Sequence, residues 1–306
     1  MKHVSIIVPA GKCSLSNIEG TQQLLTEVNG FLVSYGREPL FKIQLVGLPQ
    51  VTSQRSGLYT IHTDCVITEV DKTDLIIIPA LFDAPGEALQ QNGGFIPWIV
   101  EQHKRGAEIA SFCIGAFFLG ATGLLSGRTC ATHWRYANEF RILFPDANLV
   151  DDKIMTDDGG IYTSGGAYSF LNLLVYLVGK YAGRDIAILT AKTFMIDIDR
   201  ESQSPFIMFS GQKEHDDLPV KQAQEYIEQH FQDKITIDQL AGMFALSRRN
   251  FERRFKKATS NTVVEYIQRV KMEAAKKDFE VSAKNINEVM YDVGYTDTKA
   301  FRTTFK

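Results

Sequence analysis

Short apolar runs alternate with helical patterns over the first 182 residues of the chain. The apolar runs are Val4–Val8, Phe41–Val46, Leu75–Ile78, Glu108–Phe112 and Arg128–Thr132. The helical patterns between them fall near residues 17–35, 94–105, 114–125 and 134–143. Continuous β-branched runs separated by helices are typical of a parallel sheet with helices on both faces. We therefore predict an α/β domain in this part of the chain.

The pattern changes after residue 150. Ile154–Thr156 and Ile161–Ser164 flank two aspartates and two glycines, which predicts a hairpin. An apolar-striped helix is predicted over 167–182, and a further helix over about 184–197.

The periodicity then stops in a stretch rich in charge that also contains Pro205 and Gly211. We predict domains at 1–197 and 218–306, joined by a linker at 198–217. The run Phe206–Phe209 is too apolar for a free linker, so we expect it to pack against one domain.

The C-terminal part is helical throughout and contains one pattern twice. The first copy is Ile237, Leu240, Ala241, Ala245-Leu246-Ser247, Phe251, Arg253 and Phe255-Lys256; the second is Ile286, Val289, Met290, Gly294-Tyr295, Asp297, Phe301 and Phe305-Lys306. The first helices are offset by 49 residues and the second helices by 50, so the second turn is one residue longer. A short helix, a tight turn, a capping Ser247 or Asp297 and a second helix are the pattern of a helix-turn-helix.

The second helix of the first copy is predicted to bury Phe251 and Phe255, which are four residues apart. Its outer faces then carry Arg248, Arg249, Glu252, Arg253 and Lys256. Exposed arginines at the start of such a helix fit the major groove, where they pair with guanine, and Glu252 could accept from cytosine. We expect five further cations to lie nearer phosphates: Lys257, Arg269, Lys271, Lys276 and Lys277.

Charge divides the chain in the same way. Residues 217–306 carry 16 lysines and arginines against 13 acids, whereas the whole chain has a net charge of −3, which leaves −6 on residues 1–216. The asymmetry favours nucleic-acid binding by the C-terminal part. The four cysteines form no CxxC or metal-ligand spacing, and no run has the length of a signal peptide core or a membrane span. We expect a cytoplasmic protein that binds no metal, no cofactor and no membrane.

Residues 218–306 resemble the C-terminal DNA-binding domain of AraC-type bacterial transcription regulators. The most specific match is the series Ile286, Val289-Met290, Val293-Gly294-Tyr295-Thr296-Asp297, Phe301 and Phe305-Lys306. The resemblance implies seven helices, with two units joined by a long helix near 261–276 and set into successive major grooves about 34 Å apart. Positions matching the family's base readers are Arg249, Glu252 and Arg253, then Thr298, Lys299 and Arg302.

This tail departs from the family pattern in two places. Thr303 stands where many members carry arginine, so we expect weaker or different base reading by the second unit. The sequence also ends at Lys306, where the family continues through a final helix. We therefore expect the second unit to pack differently from the family pattern.

In the N-terminal part, the strand Glu108–Phe112 leads directly into Cys113 and then an apolar helix. This order is typical of a nucleophile elbow, in which the side chain at the tip lies above a helix N-terminus. Such a place lowers a thiol pKa and offers the backbone N–H of Ile114 to an anion. His133 follows the next predicted strand, so we expect it in the same crevice.

The stretches Ser111–Ala116, Gly123–Arg128 and Ala131–Trp134 look like the ThiJ/PfpI superfamily. The resemblance covers roughly residues 3–182 and implies the class I glutamine amidotransferase-like fold, with a flavodoxin-like sheet. More narrowly, this part of the chain is similar to the domain that precedes an AraC-type DNA-binding unit in one subgroup of regulators, in which the order of parts and the Ser204-Pro205-Phe206 junction match this chain. That subgroup implies dimerisation, contact with RNA polymerase, and an amino-acid-like or quaternary-amine effector.

Catalysis needs more than a cysteine and a histidine. Tyr136 stands where amidotransferases place a carboxylate, and Pro79-Ala80-Leu81 replaces the Gly-Gly oxyanion loop of related hydrolases. Glu19 could stand in for the acidic partner of the cysteine. We therefore predict a binding pocket without enzyme activity, in which Cys113 and His133 are remnants. Its predicted ligand contacts are Cys113, Ile114, His133, Ala80, Leu81 and Glu19.

Together these patterns predict a regulator that binds double-stranded operator DNA as a homodimer and responds to a small effector. Two alternatives stay open at this point. One is a Cys113/His133-dependent hydrolase or glyoxalase-like enzyme that carries a DNA-binding tail. The other is a regulator whose N-terminal domain only dimerises.

Overall fold

A computed structural model describes residues 1–54, 57–209, 211–213 and 215–305 of the chain. The chain divides into two compact units, Met1–Ile207 and Met208–Lys306, and the division lies inside the stretch predicted as a linker. Lys306, the last residue of the second repeat, lies outside the described residues.

The first unit is built on a seven-stranded sheet in the order β10-β11-β7-β6-β1-β2-β5. The strands of the unit are β1 Lys2–Val8, β2 Phe41–Gly47, β3 Val51–Gln54, β4 Tyr59–His62, β5 Cys65–Val66, β6 Leu75–Ile78, β7 Glu108–Phe112, β8 Thr129–Cys130, β9 Asn148–Leu149, β10 Met155–Asp158 and β11 Ile161–Ser164. Within the described part of the seven-stranded sheet, β10 and β11 form the one antiparallel pair, as the acidic Gly-Gly turn predicted, and the other neighbours are parallel. The central order β2-β1-β6-β7-β11 confirms the flavodoxin-like α/β prediction.

Seven helices cover the two faces of this sheet in the described part of the unit. They are α1 Leu15–Ser34, α2 Pro85–Asn92, α3 Phe95–Lys104, α4 Gly115–Ala121, α5 Ala137–Leu143, α6 Phe170–Ala182 and α7 Arg184–Thr193. Strand β1 shows the division of the core, because Val4, Ile6 and Val8 pack with α1, α6 and α7, whereas Ile7 packs with α2 to α5. Successive side chains of a strand point to opposite faces, so one run supplies both cores.

The structure corrects several predicted elements. Arg128–Thr132 shrinks to β8, which pairs with β9 outside the main sheet, because Ala131 N–H donates to the Thr163 side chain instead of a strand backbone. The helix predicted from 134 begins as a short 3₁₀ turn, and α4 ends at Ala121. The β3–β4 hairpin and α2 were not predicted, since neither has a long periodic pattern.

The second unit consists of helices in its described residues. They are α8 Leu218–Gln229, α9 Ile237–Met243, α10 Arg248–Thr259, α11 Val263–Val281, α12 Ile286–Asp292 and α13 Thr298–Phe305. The six helices confirm the all-α prediction but are one fewer than the family resemblance implied. Two separate cores hold them, and α11 supplies Tyr266 and Val270 to the first and Met272 and Ala275 to the second.

The structure confirms the spacing of the predicted repeat over its described residues. Helices α9 and α12 begin 49 residues apart, whereas α10 and α13 begin 50 apart, so the second turn does contain one more residue. Ser247 caps α10 by accepting from the Asn250 N–H, and Asp297 accepts from the Ala300 N–H at 2.6 Å. Phe209 also packs as predicted, with its ring 5.0 Å from that of Tyr266 in the second unit.

Candidate nucleic-acid interface and ligand crevice

Helix α10 presents a basic outer face. Its apolar residues Phe251 and Phe255 are fully buried, so the faces between them turn outward. Four of the predicted DNA-contacting side chains on this helix are exposed: Arg248, Arg249, Arg253 and Lys256. Glu252 is half-buried on the same face.

Ion pairs differ among these arginines. Arg248 lies 3.2 Å from Asp238 and 3.6 Å from Glu252, which partly neutralises it. Arg253 donates to the Asn250 side chain at 3.0 Å and keeps its charge facing solvent. An arginine held by one neutral partner exchanges that contact for a base edge at low cost.

Arg254, the next residue, has a different role. Its guanidinium forms two bonds of 2.8 Å with Asp217, the N-cap of α8. The hydrogen bonds from Arg254 hold the pKa of Asp217 below its usual range despite partial burial. No local pattern indicates that this arginine ties α10 to α8, because Asp217 is 37 residues away.

Helix α13 repeats the arrangement with fewer charges. Phe301 is buried against the second core, while Lys299 and Arg302 are exposed and Thr298 is half-buried. Thr303 is exposed and its hydroxyl donates to the Lys299 carbonyl within the helix.

Lys271 was predicted near phosphates, and this is wrong. It is only 9% exposed, and its amine lies 5.5 Å from the centre of the Tyr295 ring beneath the second turn. Burial lowers the pKa of this amine, and a side chain enclosed in this way is not exposed to a phosphate.

The elbow at Cys113 is present in the first unit. Cys113 has a φ of +54°, rare for a residue with a Cβ, and its N–H donates to the Ser164 carbonyl at 3.0 Å. A side chain at Gly115 would meet the Pro79 carbonyl oxygen, so only glycine allows α4 to begin this close to β6.

The thiol at the elbow is not activated. Cys113 is 4% exposed, and burial raises its pKa to about 11, against a weaker opposing effect of the Ile114 N–H. The sequence expectation of a lowered pKa was therefore wrong, because α4 begins at Gly115 and closes over the sulfur. At neutral pH the side chain is a thiol and a poor nucleophile.

His133 lies in the same part of the fold but is not paired with the sulfur. Thr132, its neighbour, donates to the Cys113 carbonyl at 3.1 Å, while His133 Nδ1 accepts from the Arg135 N–H. Burial, then the nearby Arg135 charge, lowers the pKa of His133. Among the described residues no hydrogen bond joins its ring to Cys113.

In the described structure, neither Glu19 nor the loop at Pro79-Ala80 supplies the groups that catalysis would need. Glu19 is exposed on the outer face of α1, so its predicted place at the crevice is wrong. Asn17, two residues earlier, is fully buried and accepts from the Ala80 N–H at 3.1 Å. Pro79 has no N–H, and that of Ala80 is used by Asn17, so the loop offers an oxyanion neither donor. Glu19 was predicted at the crevice because it is acidic. The residue that α1 buries beside Ala80 is instead Asn17.

An open pocket of about 510 Å³ lies beside the elbow, between α2, α4 and α5. Its wall contains Ile114 and Leu81, two of the candidate ligand contacts, but not Cys113, His133, Ala80 or Glu19. The other lining side chains are mainly aromatic or aliphatic: Phe82, Phe117, Phe118, Tyr136, Leu143 and Phe144. These residues were not among the predicted ligand contacts, although Phe117, Tyr136 and Phe144 bring three aromatic rings into a stretch of 28 residues.

The charges of this pocket are negative. Asp83 and Glu139 are its acidic residues, and no lysine or arginine lines it within the described chain. Asp83 is engaged, because the Lys12 N–H donates to it at 2.6 Å. Glu139 is exposed at the edge, where a carboxylate favours cationic over anionic ligands.

Among the described residues, no group of three or more His, Cys, Asp or Glu side chains is placed to hold a metal ion. In the same part of the chain, no helix combines the length and apolar character that a membrane crossing requires.

Two family descriptions match this chain. Residues 33–179 match the DJ-1/PfpI family, and residues 240–306 match a helix-turn-helix domain. Among solved structures, the AraC family transcriptional regulator from Pseudomonas putida superimposes with a TM-score of 0.54 and 16% identity, covering 63% of this chain and all of that one. At that identity the likeness shows the fold alone.

Curated relatives include regulators and an enzyme. The HTH-type transcriptional regulator GbdR of Pseudomonas aeruginosa is 22% identical over 69% of this chain and 58% of its own length, so this chain spans less than two thirds of that relative. The isonitrile hydratase of Pseudomonas putida is 27% identical over 48% of this chain and 58% of the enzyme.

Proposed function

We propose that this chain, which joins a DJ-1/PfpI-family domain to an AraC-type helix-turn-helix domain, is a transcription regulator that binds operator DNA sequence-specifically. The observation that carries the proposal is the exposed basic face of α10, repeated on α13 by Lys299 and Arg302. Two such helices in one unit fit successive major grooves. A protein with this task works in the cytoplasm.

The test is a selection of duplexes from a random pool by the full chain, followed by footprinting. We expect two protected half-sites about one helical turn apart. Affinity should fall steeply with salt, because each phosphate contact releases counterions. A single short footprint, or affinity that ignores salt, would contradict this function.

We further propose that the first unit senses a ligand and catalyses no reaction. A buried thiol with a raised pKa, a histidine ring that bonds to Arg135 instead of the thiol, and a Pro79-Ala80 loop without free N–H donors all argue against acyl transfer. The aromatic pocket beside Ile114 is the better binding site. Its size is in the range of small-molecule sites.

Aromatic walls and a free carboxylate suit an effector with an apolar body and a positive charge, such as a quaternary amine. An amino-acid-like metabolite is the other candidate. Binding must favour one DNA-binding arrangement over the other to act as a switch. We also propose a homodimer and contact with RNA polymerase, in line with the regulator families that the chain resembles.

The pocket can be tested by filling it. Ala121 lines the pocket and is half-buried, so Ala121→Trp should block it. We expect the thermal shift produced by quaternary ammonium compounds or α-amino acids to disappear in this variant. Val33→Trp, on an exposed part of α1, is the matched control. Turnover of amides or isonitriles that Cys113→Ser abolishes would favour an enzyme instead.

A further inference from the structure

Gln203 lies in the predicted linker, yet it is 1% exposed. Its side-chain amide donates to two backbone carbonyls, those of Thr132 at 3.0 Å and Lys153 at 3.1 Å. A side chain on Gly165 would overlap this amide, so glycine at 165 leaves the space that Gln203 fills. A glutamine in a free linker would be solvated, so this residue is an anchor.

The anchor lies at the crevice of the first unit. Thr132, whose carbonyl it binds, also donates to the Cys113 carbonyl and precedes His133. The backbone around Gln203 is held as well. The Gln203 N–H donates to the Asp152 backbone carbonyl at 2.7 Å, and the Ile154 N–H donates to the Glu201 backbone carbonyl at 3.2 Å. Residues 201–203, which we call the strap, are thus held against this side of the first unit.

The amide of Gln203 is not fully satisfied. Its Oε1 is buried and accepts no hydrogen bond in the described structure, and the nearby Ser164 hydroxyl is in the same state. A buried acceptor without a partner is costly. A hydrogen-bond donor that enters the crevice could therefore bond to this oxygen and change how stably Gln203 is held.

Residues Ser204–Phe206 form a 3₁₀ turn directly after Gln203, and the Ser204 N–H donates to the Ser202 hydroxyl. Phe209, six residues after Gln203, is anchored in the second unit. Phe209 donates its N–H to Glu273 at 2.9 Å and packs on Tyr266. Only residues 204–208 lie between the two anchors, and six extended residues span at most about 22 Å. Release of Gln203 and its strap would lengthen this tether substantially.

We propose that Gln203 is a positioning residue that couples the crevice of the first unit to the reach of the DNA-binding unit. With Gln203 seated, the tether is short and restricts how the second unit can meet DNA. With Gln203 released, the tether is longer and the restriction is relaxed. This inference rests on the proposed function, because the coupled outcome is DNA binding.

Coupling of this kind is reciprocal, so it can be tested without the natural effector. In the full-length protein, DNA binding must change how often the crevice opens. The probe is iodoacetamide, and the rate at which it alkylates Cys113 is measured by mass spectrometry of the peptides. The rate is compared with and without a saturating amount of a duplex that the protein itself has selected. We expect the alkylation rate to change by about fivefold or more, the lower end of allosteric coupling.

The decisive variant is Gln203→Leu, which keeps most of the volume but removes both donors. We expect the DNA effect on Cys113 alkylation to disappear in it and to persist in Ser202→Ala, the matched control on the same strap. If Gln203→Leu does not fold, Gln203→Glu removes the donors at nearly equal size.

The coupling would be overturned if DNA binding left the Cys113 alkylation rate of the wild-type protein unchanged. It would also be overturned if DNA changed this rate in Gln203→Leu as much as in the wild type. Absence of any selected duplex would instead overturn the proposed function.

Discussion

Ala245 and Gly294 occupy the same place in the turns of the two helix-turn-helix units, and both have a positive φ, 51° and 75°. The hydrogen bonds around them repeat as well. The Leu246 N–H donates to the Ala241 carbonyl and the Tyr295 N–H donates to the Met290 carbonyl, in both cases five residues earlier in the chain. The fold demands a left-handed residue here, and only the second unit uses glycine for it.

Exchanging the residues at these two positions should have opposite effects. Gly294→Ala should lower the free energy of unfolding by at least ~2 kcal/mol, because its Cβ would overlap the Gln232 carbonyl oxygen. Ala245→Gly should raise it by up to ~1 kcal/mol, since left-handed alanine is strained. Urea unfolding of the full chain measures both.

Gly242→Ala is the control for these variants. Gly242 lies in α9 with open space around its Cα, so alanine should stabilise the helix by roughly 0.5–1 kcal/mol. Equal losses in Gly242→Ala and Gly294→Ala would contradict the turn argument.

Arg253→Ala should weaken specific operator binding by roughly 1–3 kcal/mol and relax the preference at one base position. The reason is that Arg253 is exposed on the outer face of α10 with a neutral partner only. Competition binding with single-base operator variants measures the change.

Arg254→Ala serves as the neighbouring control. Because Arg254 is bonded to Asp217, its loss should lower the Tm and leave the base preference unaltered. An identical loss of base preference in both variants would count against the assignment of Arg253 as a base reader.

The pH dependence of Cys113 alkylation tests whether the thiol is activated. With a pKa of about 11, the thiolate fraction and the rate should rise about tenfold per pH unit from pH 7 to 10 without a plateau. An activated thiol would give a rate that is already level by pH 8 to 9. Iodoacetamide kinetics resolved by peptide distinguish the two.

Asp217→Asn tests the link between α8 and α10. Asparagine also caps helices, so this change removes the charge and leaves the cap. The folded pKa of Asp217 is depressed, mainly by Arg254, so its contribution to stability is present above the unfolded pKa and is lost as pH falls through the folded value. We expect a lower Tm for the variant at pH 7 and equal Tm values in acid. A difference that is independent of pH would contradict the ion pair.

Local patterns determined much of this protein. Apolar runs specified the parallel sheet, and the spacing of Phe251, Phe255 and Phe301 together with the caps Ser247 and Asp297 located both helix-turn-helix units. These features follow from periodicity and capping, which act between residues a few positions apart. The exposed arginines of α10 follow from the same periodicity.

The tertiary structure alone decided the state of the crevice. The burial of Cys113, the position of Asn17 beside Ala80, the aromatic pocket and the anchoring of Gln203 depend on segments that lie up to 71 residues apart in the sequence. Solvation, pKa and hydrogen-bond partners are set by what packs nearby in space, and one-dimensional spacing does not contain that information. Residue types could therefore name the candidates at this site, but only packing separated the anchor from the linker and the inert thiol from a nucleophile.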